Sequence, residues 1–259
     1  MPGTALTVDS LEVSFGGLRA LQGVSLEVVD GSVHGLLGPN GSGKTTLLNA
    51  VCGFVRSSGD VRLFDQPLTH SSAHSRARQG LVRTFQNPKL VQHLTVGELL
   101  RMGEHGQGVR PWWVVAALPL RDRRARLRSR AHAEEVLELL GLDASLLPAA
   151  VHELPQGVLK MVDIARALMA QPKLLLLDEP SSGMSEEEIV RLRERLEELR
   201  RRGTTMLVVE HNLGLIGAVC DQVTVLNLGQ KICDGPPAEV LARPDVIGAF
   251  LGTGSTAAH

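Results

Sequence analysis

At 259 residues the chain can hold one large or two modest domains, each with a hydrophobic core of its own. It is 43% hydrophobic and 21% charged with 27 glycines, ordinary for a soluble α/β protein, and a formal net charge of -1 with no tyrosine argues against a general nucleic-acid-binding or base-stacking surface. Three scattered cysteines, Cys52, Cys220 and Cys233, read as small buried hydrophobes in a reducing compartment and not as a disulfide framework or a zinc site.

The first residues, Met1-Pro2-Gly3-Thr4, carry neither a basic region nor an apolar run, so no signal peptide is expected. Leu6 to Phe15 and Leu21 to Val29 alternate in the manner of strands, with Gly16-Gly17 as the turn between them. Phe15 has two readings of equal standing: an aromatic that stacks on an adenine, or a core residue at a strand end. After the turn Asp30-Gly31, Val33-His34-Gly35-Leu36-Leu37 reads as a short buried strand. It leads into Gly38-Pro39-Asn40-Gly41-Ser42-Gly43-Lys44-Thr45, which fits the phosphate-loop pattern G-x-x-x-x-G-K-[ST] at every fixed position. The glycines let the backbone fold into a nest of N–H groups aimed at an anion. Lys44 adds a charge for the outer phosphates, and the Thr45 hydroxyl is placed to ligate Mg²⁺. Thr46 to Val51 continues as a helix whose N-terminal dipole also favours phosphate. The stretch reads as a nucleotide-binding loop.

Gly59 to Phe64 is another strand. His70 and His74 have i,i+4 spacing but stand in a Ser-rich stretch without further ligands, which reads as a solvated loop. Leu81 to Gln86 reads as a strand with a polar end before the breaker Asn87-Pro88, where a glutamine can reach a metal or a water. From Lys89 to Lys160 the strand pattern disappears. A short helix starts at Thr95, and a longer one runs from Arg121 to Leu140 and is closed by Gly141. Its arginines at 121, 123, 124, 126, 128 and 130 read as a solvated face. The longest apolar run, Trp112 to Leu118, is too short to span a bilayer.

Leu154-Pro155-Gln156-Gly157 opens another helix, Val158 to Met169, with Pro155 at a first-turn position. In Lys173-Leu174-Leu175-Leu176-Leu177-Asp178-Glu179-Pro180 the four leucines without polar alternation are those of a central parallel strand. Its acids then fall on the carboxyl edge of the sheet, where open α/β folds bind ligands. There Asp178 can hold Mg²⁺ through water and Glu179 can polarise an attacking water. Ser185 caps a helix from Glu186 to Arg202. The strand Thr204 to Val209 brings His211 to the same edge. Two late strands (Val223 to Leu226, Lys231 to Cys233), a helix from Pro236 and a frayed end, Thr253 to His259, complete the chain.

Taken in order, the phosphate loop, Gln86, a helical insertion, the helix opening at Leu154, Asp178-Glu179 and His211 resemble the ATP-binding-cassette (ABC) ATPases over essentially the whole chain. The resemblance implies an α/β fold: a P-loop NTPase (RecA-like) core of residues 1–88 and 165–259 with an N-terminal antiparallel β subdomain. The inserted α-helical subdomain is then 89–164 and carries the signature Leu154-Pro155-Gln156-Gly157. It implies ATP and Mg²⁺ as ligands, with Phe15 on the adenine and Gly38, Pro39, Asn40, Gly41, Ser42, Gly43, Lys44, Thr45 and Thr46 around the phosphates. Thr45, Gln86 and Asp178 would serve the metal, Glu179 the attacking water and His211 the γ-phosphate, while Gln86 would couple the metal site to a membrane partner. Two ATPs would lie between facing subunits, each touched by one phosphate loop and the other subunit's signature helix.

Phe15 to Leu21, Arg83-Thr84-Phe85-Gln86 and Pro244 to Gly252 look like one ATPase subunit of bacterial branched-chain (hydrophobic) amino acid importers; urea or short-amide importers share much of this. The partners implied are a second, related ATPase subunit, two transmembrane permease subunits and an extracytoplasmic solute-binding protein, with no nucleic acid, at the cytoplasmic face of the plasma membrane. Residues near Lys89 to Leu100 would receive the membrane subunit. Two departures from the family pattern stand out. Pro155 replaces the signature serine and removes a hydroxyl donor, and Ser185 stands where an acid or asparagine is usual. A heterodimer in which this chain's own ATP faces an intact signature fits that pattern better than a homodimer. The rival readings are a lipid exporter, a soluble cassette ATPase of nucleic-acid repair or translation, and a P-loop kinase or GTPase. No second cassette or coiled coil supports the soluble form, and a kinase or GTPase explains neither the Leu154 helix nor His211.

Overall fold

The computed structural model describes residues 3–84, 93–105 and 123–251. Two long strands, β1 (Thr4–Phe15) and β2 (Leu18–Val29), pair antiparallel across Gly16-Gly17, where both glycines hold positive φ. With β4 (Ser58–Leu63) and β5 (Gln66–Pro67) they make a small antiparallel sheet in the order β2-β1-β4-β5.

The second sheet carries the site. β3 (Val33–Leu37) lies between β9 (Gln222–Asn227) and β8 (Met206–Val209), with β7 (Leu174–Asp178) and β6 (Leu81–Arg83) beyond β8, all parallel. β10 (Gln230–Gly235) closes the far edge antiparallel to β9. The order β10-β9-β3-β8-β7-β6 brings strands distant in sequence side by side, so their connections cross the sheet as helices. The leucine run of β7 shows why the strand lacks polar alternation. Leu174 and Leu176 enter a core shared with the small sheet and α1 (Lys44–Cys52), and Leu175 and Leu177 enter the core beneath the other helices. In β8, Leu207 and Val209 face the first core, Met206 and Val208 the second. At about 1.5–3 kcal/mol per buried aliphatic side chain, both faces hold these strand ends in place.

The remaining α-helices among the described residues are α2 (Ala73–Arg78), α3 (Val96–His105), α4 (Arg123–Leu139), α5 (Gln156–Met169), α6 (Glu186–Arg201), α7 (Leu213–Val219), α8 (Pro237–Leu241) and α9 (Pro244–Leu251). Val96, Leu99 and Leu100 of α3 and Ala133, Val136 and Leu137 of α4 bury against Val162, Ile164 and Ala165 of α5, which joins this helical layer to the sheet. Gly103 of α3 approaches α5 so closely that a Cβ there would collide with the Arg166 carbonyl.

Several elements differ from the sequence expectation. His74 lies in α2, not in a loop, because the Ser72 side chain caps that helix by accepting the Ser75 N–H; His70 stays in an exposed turn. Among the described residues no group of histidine, cysteine or acid side chains could hold a metal by itself. α7 and α9 were not anticipated: both are short, and Gly214 and Gly217 hide the helical pattern of α7. Pro155 sits at the N-cap of α5, with φ −55° and ψ 150°, and not inside the first turn. Val96, Leu99 and Leu100, expected on a docking surface, are core residues, because α3 turns its apolar face onto α5. Gln86, Trp112 to Leu118, Arg121 and Thr253 to His259 lie outside the described residues.

Candidate nucleotide site

At the end of β3 the backbone needs conformations that only glycine adopts readily. Gly38, Gly41 and Gly43 have φ of 150°, 81° and 105°. A Cβ on Gly38 would run into the Leu226 carbonyl, and one on Gly43 would lie 2.8 Å from Leu21. The loop is thus clamped between β9 and β2, and the chain enters α1 directly at Lys44. Lys44 is buried and folds back over the loop, its Nζ donating to the Gly38 carbonyl at 2.7 Å and the Pro39 carbonyl at 3.0 Å. Burial pulls its pKa below the usual lysine range, and the carboxylates of Glu179 and Asp178 oppose that shift.

Around this loop opens a pocket of about 570 Å³, lined by Phe15, Leu18 to Ala20, Gln22, Asn40 to Thr46, Glu179, Leu228 and Gly229. Phe15 is 50% exposed, which removes the core reading, and it lines the pocket. Leu18 and Leu228, 71% and 72% exposed, extend the apolar wall at the same end. The β9–β10 turn that carries Leu228 is docked on the phosphate loop: the Gly229 N–H donates to the Ser42 carbonyl at 3.0 Å. The pocket therefore has an apolar end beside a backbone cradle with a lysine, the pairing a nucleoside polyphosphate requires.

The acids lie beside the cradle. Asp178 ends β7 with its side chain fully enclosed. Its Oδ2 accepts from Arg83 Nη2 at 2.6 Å, and Arg83 Nη1 donates to Asn49 Oδ1, also at 2.6 Å. Asp178 Oδ1 is buried with no hydrogen-bond partner, as is Ser42 Oγ. A buried carboxylate oxygen without a protein partner suits Mg²⁺, which keeps several waters and takes few protein ligands besides phosphate. Glu179 holds φ of 48°, a left-handed backbone that costs a non-glycine residue of order 1 kcal/mol or more. Three bonds impose it. The Glu179 N–H donates to the Val209 carbonyl at 2.9 Å, while its own carbonyl accepts from the Ser182 N–H at 3.2 Å and from Lys160 Nζ at 3.1 Å.

The expected residues gather only in part. Phe15, Asn40 to Thr46 and Glu179 line one pocket, with Gly38, Pro39 and Asp178 just behind its wall. His211 is exposed and does not line it, nor do Leu154, Pro155, Gln156 and Gly157. The start of α5 is seated instead on the chain's own loop after β7, where a Cβ on Gly183 would strike Gln156 and one on Gly157 would strike Glu188. Arg83, Lys160, Glu210, Leu18 and Leu228 were missed by sequence reasoning. Arg83 alone had a local signal, as a charge in a short strand ahead of Gln86.

Comparison with known proteins gives this architecture its class. Residues 21–182 match the ABC transporter family model, and the chain belongs to that family. It is 36% identical over 249 residues to the high-affinity branched-chain amino acid transport ATP-binding protein LivG of Escherichia coli (strain K12), covering 95% of this chain and 97% of that one. BraF of Pseudomonas aeruginosa, with the same description, is 34% identical over equal shares. A crystal structure of an ATP-binding cassette of an ABC transporter, in its ADP conformation, superposes with a TM-score of 0.85 at 32% identity, covering 96% of this chain and 99% of the other. The chain is an ATP-binding, ATP-hydrolysing subunit of an ABC transporter. Its particular branch is marked at the C-terminus, where residues 230–256 match a model described as branched-chain amino acid ATP-binding cassette transporter.

Proposed function

We propose that this subunit powers an importer of branched-chain or other hydrophobic amino acids. The C-terminal match over residues 230–256 supports the solute class, since the ATPase pocket holds no part of the solute. In the site, Phe15 and its apolar neighbours take the adenine, and Gly38 to Thr46 take the phosphates. Thr45, Asp178 and Gln86 would hold Mg²⁺, which would neutralise charge on the phosphates when bound. Glu179 orients and deprotonates the attacking water, and His211 donates to the γ-phosphate. The observation that carries this assignment is the shared pocket of Glu179 and the Gly41 to Thr46 cradle.

The signature residues support a two-chain site, because none of them lines this pocket. Residues 89–164 form the helical subdomain that presents them, and 1–88 with 165–259 the core. Pro155, exposed at the N-cap without a side-chain cap, has no hydroxyl to offer the facing ATP. A charge-assisted bond of that kind is worth about 1.5–3 kcal/mol, so the facing site is weakened and a related partner with an intact signature completes the stronger one. Two permease subunits and a solute-binding protein complete the assembly at the cytoplasmic face of the membrane. Among the described residues no helix is long and apolar enough to cross a membrane, so attachment rests on the permeases. A cleft of about 370 Å³ between α1, α2 and β6 on one side and Met102, Gly103 and Arg166 on the other is the surface that receives them.

The test is to isolate the chain from detergent-solubilised native membranes and identify its companions by mass spectrometry. Two polytopic proteins, a second cassette ATPase and a periplasmic-type binding protein that takes up leucine or isoleucine are expected. A binding protein specific for urea or amides would reassign the solute. Recovery from the soluble fraction alone would overturn the importer reading.

A further inference from the structure

The acid just before His211 has no part in the roles above, yet it is as fully enclosed as Asp178. Glu210 is 0% exposed. Its Oε1 accepts the Ser181 N–H at 2.7 Å, and its Oε2 accepts the His211 N–H at 3.0 Å and the Asn212 N–H at 3.3 Å. Its own N–H donates to the Leu36 carbonyl at 3.4 Å, two residues before the phosphate loop. One side chain thus joins the loop that follows Glu179, the loop that carries His211 and the strand that delivers the cradle.

We propose that Glu210 is a positioning residue that locks the Glu179 loop and the His211 loop into one unit, so that both residues keep their places around a single bound phosphate. The proposal rests on the roles assigned above to Glu179 and His211. The chemistry explains the residue type. Where β7 and β8 end, the following N–H groups have left the sheet ladder and need acceptors. A carboxylate presents acceptors on both oxygens and can serve two loops at once. A glutamine of the same shape has one carbonyl oxygen and turns an NH₂ toward the other loop. An aspartate keeps both oxygens but is one methylene short of spanning the gap.

Hydrogen exchange on the nucleotide-free full-length chain reads the lock without reference to catalysis. In Glu210→Gln the amides at Ser181 and at His211 and Asn212 are expected to exchange roughly ten- to a hundred-fold faster together, with the β7 and β8 ladder amides unchanged. Exchange that rises in one loop alone, or in neither, overturns the proposal. ATP turnover in the assembled complex then reads the consequence. Glu210→Gln is expected to lower kcat roughly ten-fold or more with KM for ATP unchanged, and to cost clearly less in a His211→Ala background, where only its hold on the Glu179 loop is left to lose. Equal fold losses in both backgrounds would mean that Glu210 does not act through His211, and would also overturn it. If the glutamine variant does not fold, Glu210→Asp is held to the same exchange criterion. A parent complex without ATP turnover would remove the proposed function and leave the exchange result to decide the lock.

Discussion

Lys44 and Glu179 face one pocket; Lys44 is held there through its side chain, Glu179 through backbone bonds that a substitution of its side chain leaves in place. Lys44 Nζ caps the Gly38 and Pro39 carbonyls and waits over the cradle. Lys44→Ala is expected to weaken ATP binding roughly 10- to 100-fold, with little change in Tm, in an equilibrium titration with a fluorescent ATP analogue. Affinity within two-fold of the parent would remove Lys44 from the phosphate site. His34 provides a different test, because it belongs to the core and not to the pocket. Its Nε2 lies 2.9 Å from Thr224 Oγ1, across β3 and β9. Burial lowers its pKa from 6.5 to about 4, with Asp234 opposing the shift and Lys231 adding to it. Between those values the unfolded chain takes up a proton that the folded chain refuses. The stabilisation from a neutral His34 is therefore complete above pH 6.5 and is lost as pH falls toward 4, by up to about 3 kcal/mol. Denaturant titrations at pH 7 and pH 4.5 are expected to show a smaller difference in His34→Asn than in the parent. An equal difference would assign the acid sensitivity to other groups.

Elements were legible where their signal is local. The phosphate loop, the four-leucine strand and its two acids each occupy a contiguous stretch whose chemistry is fixed by adjacent residues, and they form where the pattern places them. The helix from Glu186 is equally local: Ser185 and Glu188 form a reciprocal capping box, and three acids occupy the first turn. Ser185→Ala is expected to cost about 1 kcal/mol, read as a shift in the urea midpoint at unchanged m-value. No shift would mean that neighbouring packing alone sets the helix start. What escaped the sequence depends on partners far along the chain. Glu210 gains its role from Ser181, Leu228 from the pocket it shares with Phe15, and Arg83 from Asp178 and Asn49. No spacing rule joins such positions. Pro155 was misplaced by one position because a proline fits either the N-cap or the first turn, and the turns before α5 decide which.

The whole molecule holds one half of a machine. Its pocket supplies a cradle, a lysine and an acid, while its signature helix is fixed to the back of that acid's loop through Lys160 and the close contacts at Gly157 and Gly183. These contacts join the face that would meet a partner's ATP to the residue that would act on this chain's own ATP. On the proposed function, in which Pro155 weakens the site facing it, productive turnover is expected at the ATP held here. Measuring ATP hydrolysis by the assembled transporter with Glu179→Gln in this chain only, and the partner cassette unaltered, tests that assignment most directly. Turnover is expected to fall roughly 10²-fold or more, with ATP retained in a closed complex. Turnover that stays near the parent's would place the working site in the partner and contradict the account.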